Sequence, residues 1–269
     1  MKARILVAVI GLPILVAVLL FLPEWTAAAV VGLICVLASY ELLDGTGLLK
    51  NLRVMLITSA MAMFVCLWSV LSQSGFAMQC AIFVFTLALF LELLVANTKL
   101  DFSRICLAMF AGIGIPYLLS AVLRILHMEH GRYLVLIPFA MTMLPDSGAY
   151  FIGCAFGKHK LAPEISPKKS IEGVFGGMAA GVVGMLIFGI VLQLLGLEIN
   201  LCHAAVYGIF GALGSVIGDL VFSTIKRQTG IKDFGHFLPG HGGALDRFDS
   251  LVLVAPLVEL LMVLIPLVK

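Results

Sequence analysis

Apolar residues run through this chain in long unbroken stretches, near 4–22, 26–43, 54–72, 76–96, 105–126, 132–155, 174–197, 203–225 and 250–268, with short polar connections between them. Each stretch has the roughly 20 residues that a helix needs to cross about 30 Å of hydrocarbon. None alternates apolar and polar residues with the period of two that a membrane barrel with a wet interior demands. The pattern predicts an all-α, polytopic integral membrane protein of about nine transmembrane helices. Composition points the same way: 62% of the 269 residues are hydrophobic and 12% charged, too little polar surface to cover a soluble globule of this size.

Lysine and arginine add an orientation. With the N-terminus placed in the cytoplasm, 14 of the 17 basic residues fall on the cytoplasmic side, leaving only Arg124, Arg132 and Lys269 opposite, the bias that membrane insertion imposes. An odd number of spans then puts the C-terminus outside. The first span reads as an uncleaved anchor, because Pro23, Glu24 and Trp25 intervene before the small residues Ala27 to Ala29 and a second span follows at once. Six cysteines lie scattered in apolar segments, without a CxxC pair or a histidine at ligand spacing, and read as membrane-core thiols rather than disulfides or zinc ligands.

The whole chain, 1–269, reads as one membrane domain with two characters. Residues 1 to about 130 look like scaffold; Glu41 and Glu92 stand at the ends of spans, where a carboxylate reaches the interface or pairs with a loop cation. From 131 onward, acidic residues enter the spans, glycines multiply, and two charged connections appear. Glycines at 173, 176, 177, 181, 184 and 189, and again at 208, 211, 214 and 218, permit close helix packing.

Chemistry concentrates in this second half. Ser215, Asp219, Ser223 and Lys226 follow one another at steps of four, four and three, forming a polar stripe on an otherwise apolar helix. A charged carboxylate at the centre of a span costs about 2.5 to 3.5 kcal/mol on insertion scales and needs a cation, a metal or a wet cavity. A second acidic pair, Asp246 and Asp249, follows the connection. Carboxylates from two segments with phosphate-binding cations between them are what Mg2+ or Mn2+ requires, since Mg2+ takes one or two carboxylates, water and substrate phosphate oxygens. Asp219 and Asp246 are the first choice as ligands. Asp249 either joins them or holds Arg247, and Asp146 is a further candidate for orienting a cation or serving a second metal. The turn from Pro239 to Gly243 places glycines where backbone N–H groups can form an anion nest, and His241 beside it has a phosphate or a carboxylate as its candidate partner. The connection Lys158 to Lys169 is basic, with Pro163 and Pro167 stiffening it.

As a row, Ser223, Lys226, Arg227, Lys232, Asp233, Pro239, His241, Gly242, Gly243, Asp246, Arg247 and Asp249 resemble the signature of the phosphatidate cytidylyltransferases. The upstream runs Asp-Ser-Gly-Ala-Tyr from Asp146, Phe-Gly-Lys-His-Lys-Leu from Phe156 and Ser-Pro-Lys-Lys-Ser from Ser166 resemble the same family. One departure is Ala244, where the family usually carries a larger aliphatic residue. The resemblance implies transfer of a cytidylyl group from CTP to phosphatidic acid, giving CDP-diacylglycerol and pyrophosphate, with Mg2+ or Mn2+ as cofactor. On that resemblance Asp219 and Asp246 hold the metal, and Lys226, Arg227, Lys232 and Arg247 meet the phosphates of nucleotide and lipid. Ser223 is then a polar contact at metal or phosphate, and Lys168, Lys169, Ser170, His241, Gly242 and Gly243 are nucleotide or lipid phosphate contacts. It also implies a bacterial inner (cytoplasmic) membrane, a site facing the cytoplasm, no nucleic-acid partner and a homodimer. A transporter is the main rival, but no two matched halves with interrupted helices appear. A CDP-alcohol phosphotransferase is another, but Asp44 and Gly45 are not followed by that family's motif.

Overall fold

The computed structural model describes residues 2–47, 50–71, 74–96, 100–235 and 242–268. Every apolar stretch expected to be helical is helical: α1 (Lys2–Phe21), α2 (Glu24–Tyr40), α3 (Leu52–Leu71), α4 (Gly75–Ala96), α5 (Phe102–Met109), α6 (Ile115–Leu119), α7 (Ala121–Leu126), α8 (Gly131–Leu134), α9 (Leu136–Phe156), α10 (Ile171–Leu194), α11 (Leu201–Gln228) and α12 (Leu245–Leu264). The helix starts are written in the sequence. Asn51 Oδ1 accepts from Arg53 N (3.0 Å) ahead of α3, and Asn200 Oδ1 from Cys202 N (3.0 Å) ahead of α11. Ser170 Oγ accepts from Gly173 N (3.2 Å) ahead of α10, each satisfying an amide that the first turn leaves without a partner. Gly196, at φ +92°, closes α10 in the left-handed conformation that glycine alone adopts without strain.

Among the described residues, seven helical stretches are long and apolar enough to cross a membrane: Glu24–Gly45, Leu52–Leu71, Gly75–Val95, Phe102–Leu126, Gly131–Phe156, Ile171–Leu194 and Leu201–Gln228. Large apolar side chains such as Phe83, Leu94, Phe175, Ile187 and Leu264 stand exposed, as an outer surface in contact with hydrocarbon requires and a soluble surface does not tolerate in such number.

Among the described residues, the basic connection expected as a loop forms a two-stranded antiparallel hairpin, β1 (Lys160–Ala162) and β2 (Ser166–Ser170). Its strands are short, charged and carry Pro167, so they lack the alternating apolar signal by which strands are found; in a two-stranded sheet every strand is an edge, where proline is tolerated.

The chain divides into two compact units. The first comprises 1–128 and 228–248. In it α2 packs on α3, with Gly32 against Met63 and the Cys35 and Cys66 sulfurs 3.5 Å apart. α2 does not stop at Tyr40 but runs on into a π turn, Glu41–Gly45, and a second π turn, Phe110–Gly114, joins α5 to α6. Ser39 Oγ donates to the Ala111 carbonyl in that second turn (2.6 Å). Single π turns of this kind recur at functional sites.

The second unit comprises 129–227 and 249–269. Here the glycines act as expected. A Cβ on Gly176 would stand 2.4 Å from Ile152 Cβ, one on Gly177 2.9 Å from the Pro145 carbonyl, and one on Gly208 2.5 Å from Val182 Cα, so α9, α10 and α11 approach to backbone contact. Gly218 does the same toward α12, where an added Cβ would meet Ser250 Cα at 2.9 Å and the Asp249 carbonyl at 3.2 Å. This seats the residue before Asp219 directly on the start of the next helix.

Candidate functional site

In the second unit the polar stripe of α11 meets α9 and β2. Lys169 Nζ pairs with Asp219 Oδ2. Ser223 Oγ donates to Asp219 Oδ1 (3.2 Å) and Ser215 Oγ to Asp146 Oδ1 (3.3 Å). The charges of Lys169 and Asp219 both act on Asp146, so the three side chains make a single cluster. Lys169 Nζ is shut off from solvent and, its charge pairing with Asp219 apart, donates no hydrogen bond among the described residues. An ammonium with three donors in that state carries unspent capacity for anionic oxygen. Within β2, Lys169 is half-buried while its neighbour Lys168 is exposed.

The next turn of α11 carries two more of the expected cations. Lys226 Nζ lies 3.9 Å from Asp249 Oδ2, both largely enclosed, and Arg227 Nε donates to the Ile165 carbonyl in the hairpin turn (3.3 Å). Ser170, expected at a phosphate, spends its hydroxyl oxygen as the cap of α10. Glu172, in the first turn of that helix, accepts from the backbone N–H groups of Lys158 (3.1 Å) and His159 (3.2 Å), with His159 Nδ1 at 2.6 Å, tying the hairpin base to α10.

The rest of the signature lies in the first unit. Asp246 Oδ2 accepts from Phe234 N (2.8 Å) and Gly243 N (2.9 Å), so the Gly243 amide expected to cradle phosphate is turned onto a carboxylate. Gly242 adopts φ +79° and packs on Asp246. Glu41, read from the sequence as an interface carboxylate, is buried and accepts from Ala244 N (2.9 Å) and Leu245 N (2.8 Å). That corrects the sequence reading: its partners are backbone amides of the signature, which leave no mark in the order of side chains. Glu92 does pair with a cation, though from a helix rather than a loop: Arg53 in the first turn of α3 (3.8 Å). Lys232 and Asp233 line an 860 Å³ cavity with Tyr40, Glu41, Asp44 and Phe234. Arg247 follows Asp246 on the first turn of α12. His241, with His236, lies outside the described residues.

These features define a class: a largely α-helical polytopic membrane protein that pairs aspartates with lysines on and beside its helices. The comparisons make it particular. The sequence model of the "Cytidylyltransferase family" matches residues 2–265. The chain is 35% identical to a phosphatidate cytidylyltransferase of Staphylococcus haemolyticus over 98% of this chain and 99% of that protein. It is 33% identical to one of Haemophilus influenzae over 95% and 96%, and 37% identical to one of Bacillus subtilis over 70% and 68%. The chain belongs to the cytidylyltransferase family.

Proposed function

We propose that the protein transfers the cytidylyl group of CTP to phosphatidic acid, giving CDP-diacylglycerol and pyrophosphate for phospholipid biosynthesis. The observation that carries the reading is the enclosed Lys169 ammonium, paired with Asp219, within reach of the charge on Asp146 and holding unspent hydrogen-bond donors. A phosphate oxygen of phosphatidic acid attacks the α-phosphorus of CTP, and the bond from that phosphorus to the oxygen bridging to the β-phosphate breaks. The attacking oxygen is already anionic, so the barrier lies in bringing two polyanions together; positioning and charge neutralisation supply the catalysis. Lys169 with Lys168, and Lys226, Arg227, Lys232 and Arg247, bind and orient the phosphates. Ser223 fixes the Asp219 carboxylate.

The donor set fits a divalent cation. Asp219 and Asp146 would be the two carboxylates holding Mg2+, with the remaining oxygens from water and substrate; among the described residues no group of three or more His, Cys, Asp and Glu side chains offers a complete cage. Bound there, Mg2+ or Mn2+ would neutralise charge on the phosphates. Asp246 and Asp249 are kept as further metal-linked carboxylates on sequence grounds, and Gly242, Gly243 and His241 as phosphate contacts. The same reading includes nine spans with α1 and α12 among them, a bacterial inner membrane, a cytoplasmic site and a homodimer.

The test is direct. Purified protein in detergent, given phosphatidic acid, labelled CTP and Mg2+, should form a labelled lipid and release pyrophosphate, and Asp219→Asn should abolish both. Wild type that yields no labelled lipid with any divalent ion would overturn the reaction; equal product from Asp219→Asn and Asp246→Asn would overturn the site.

A further inference from the structure

Glu41 is buried, lies 203 residues from its partners in sequence, and spends both carboxylate oxygens on the N-terminus of α12, Oε1 on Ala244 N and Oε2 on Leu245 N. A helix start is a ready anion site, and here the protein fills it with its own carboxylate. The surroundings are shaped for that filling. A Cβ on Gly235 would stand 2.5 Å from Glu41 Oε1, one on Gly243 2.2 Å from Oε2, and one on Gly45 1.8 Å from the Phe234 carbonyl. Asp246 closes a second clasp on the same turn through Phe234 N and Gly243 N. The π turn Glu41–Gly45 makes this possible, since the extra residue in the turn re-aims the side chain at the end of α2.

We propose that Glu41 is a positioning residue for the reaction: it holds the first turn of α12 through the Ala244 and Leu245 amides and thereby fixes the Asp246 carboxylate one residue further on. This rests on the cytidylyl-transfer reading. Ala244 follows from it as well. The residue is buried and its amide is in use, so the small side chain lets the turn seat on Glu41.

The experiment compares wild type with Glu41→Ala, Glu41→Gln and Gly235→Ala, all in detergent. Hydrogen exchange of the peptide covering 242–248, read by mass spectrometry without substrate, should be slow in wild type and fast in Glu41→Ala. Turnover and the Mn2+ midpoint should worsen by about 10- to 100-fold in Glu41→Ala, the range found for residues that orient a ligand-bearing group. Glu41→Gln should fall between, because its amide oxygen still accepts. Gly235→Ala should move the same way as Glu41→Ala with the carboxylate still present, which separates positioning from loss of folded protein. Unchanged exchange and turnover in Glu41→Ala would overturn the proposal, as would a Glu41→Ala defect that tracks only its folded fraction while Gly235→Ala behaves as wild type. A wild type that makes no labelled lipid overturns the reaction reading alone; the exchange measurement still decides on Glu41.

Discussion

Replacing Lys169 by methionine keeps the length and bulk of the side chain and removes its charge, leaving Asp146 and Asp219 without that cation. The ammonium pairs with Asp219 Oδ2, so it competes with any cation for that oxygen. Two unit charges 4 Å apart interact by about 4 kcal/mol at an effective dielectric near 20. The side chains of Lys169 and Asp219 keep 24% and 29% of their exposure, which screens the pair and lowers the share to about 1–3 kcal/mol. Lys169→Met should therefore bind a divalent cation about 10- to 100-fold more tightly than wild type, while turnover falls because the phosphates lose a cation. Mn2+ titration in nanodiscs, followed by the electron spin resonance of the free ion and without nucleotide, reads the first effect; labelled-lipid formation reads the second. Unchanged or weaker Mn2+ binding would refute the idea that lysine and metal share the Asp219 carboxylate.

Three further outcomes follow from the geometry. Ser170→Ala should lower stability by about 1 kcal/mol through loss of the α10 cap, seen as an earlier thermal transition, with the KM for CTP unchanged; a raised KM at unchanged stability would mark Ser170 as a phosphate ligand instead. Gly208→Leu should destabilise by about 1–3 kcal/mol or more, since even a Cβ would meet the Val182 backbone at 2.5 Å, whereas Gly196→Ala, with open space around it at φ +92°, should cost only the roughly 1–2 kcal/mol of left-handed strain; thermal denaturation in one detergent compares the two. Glu172→Ala should loosen the base of the hairpin, and faster tryptic cleavage after Lys158 and Lys160 at an unchanged thermal transition is the expected signature.

The helices were legible because a span needs little more than length and apolarity, and among the described residues seven helical stretches satisfy both. The stripe on α11 was legible for a similar reason: a charge amid apolar residues at helical spacing has to be aimed, and Asp219 is met by Ser223 on its own helix and by Lys169 from β2. Which cation it meets was not legible, because spacing along α11 says nothing of a strand 50 residues earlier. The hairpin escaped because charged residues and prolines in a two-stranded sheet carry no burial pattern. Glu41 escaped because backbone amides have no sequence. Its trace was indirect: a carboxylate closing an apolar run, and glycines at 45, 235 and 243 where nothing in the local turn demanded all of them.

The hairpin makes Lys168 and Lys169 unequal. Equal in charge and adjacent in the chain, they stand differently in β2, Lys168 exposed and Lys169 half-buried, so that placement rather than chemistry decides which one confronts the aspartates. Counting lysines along this connection therefore overstates what the carboxylates receive: the same residue type, twice over, supplies Asp219 with one cation.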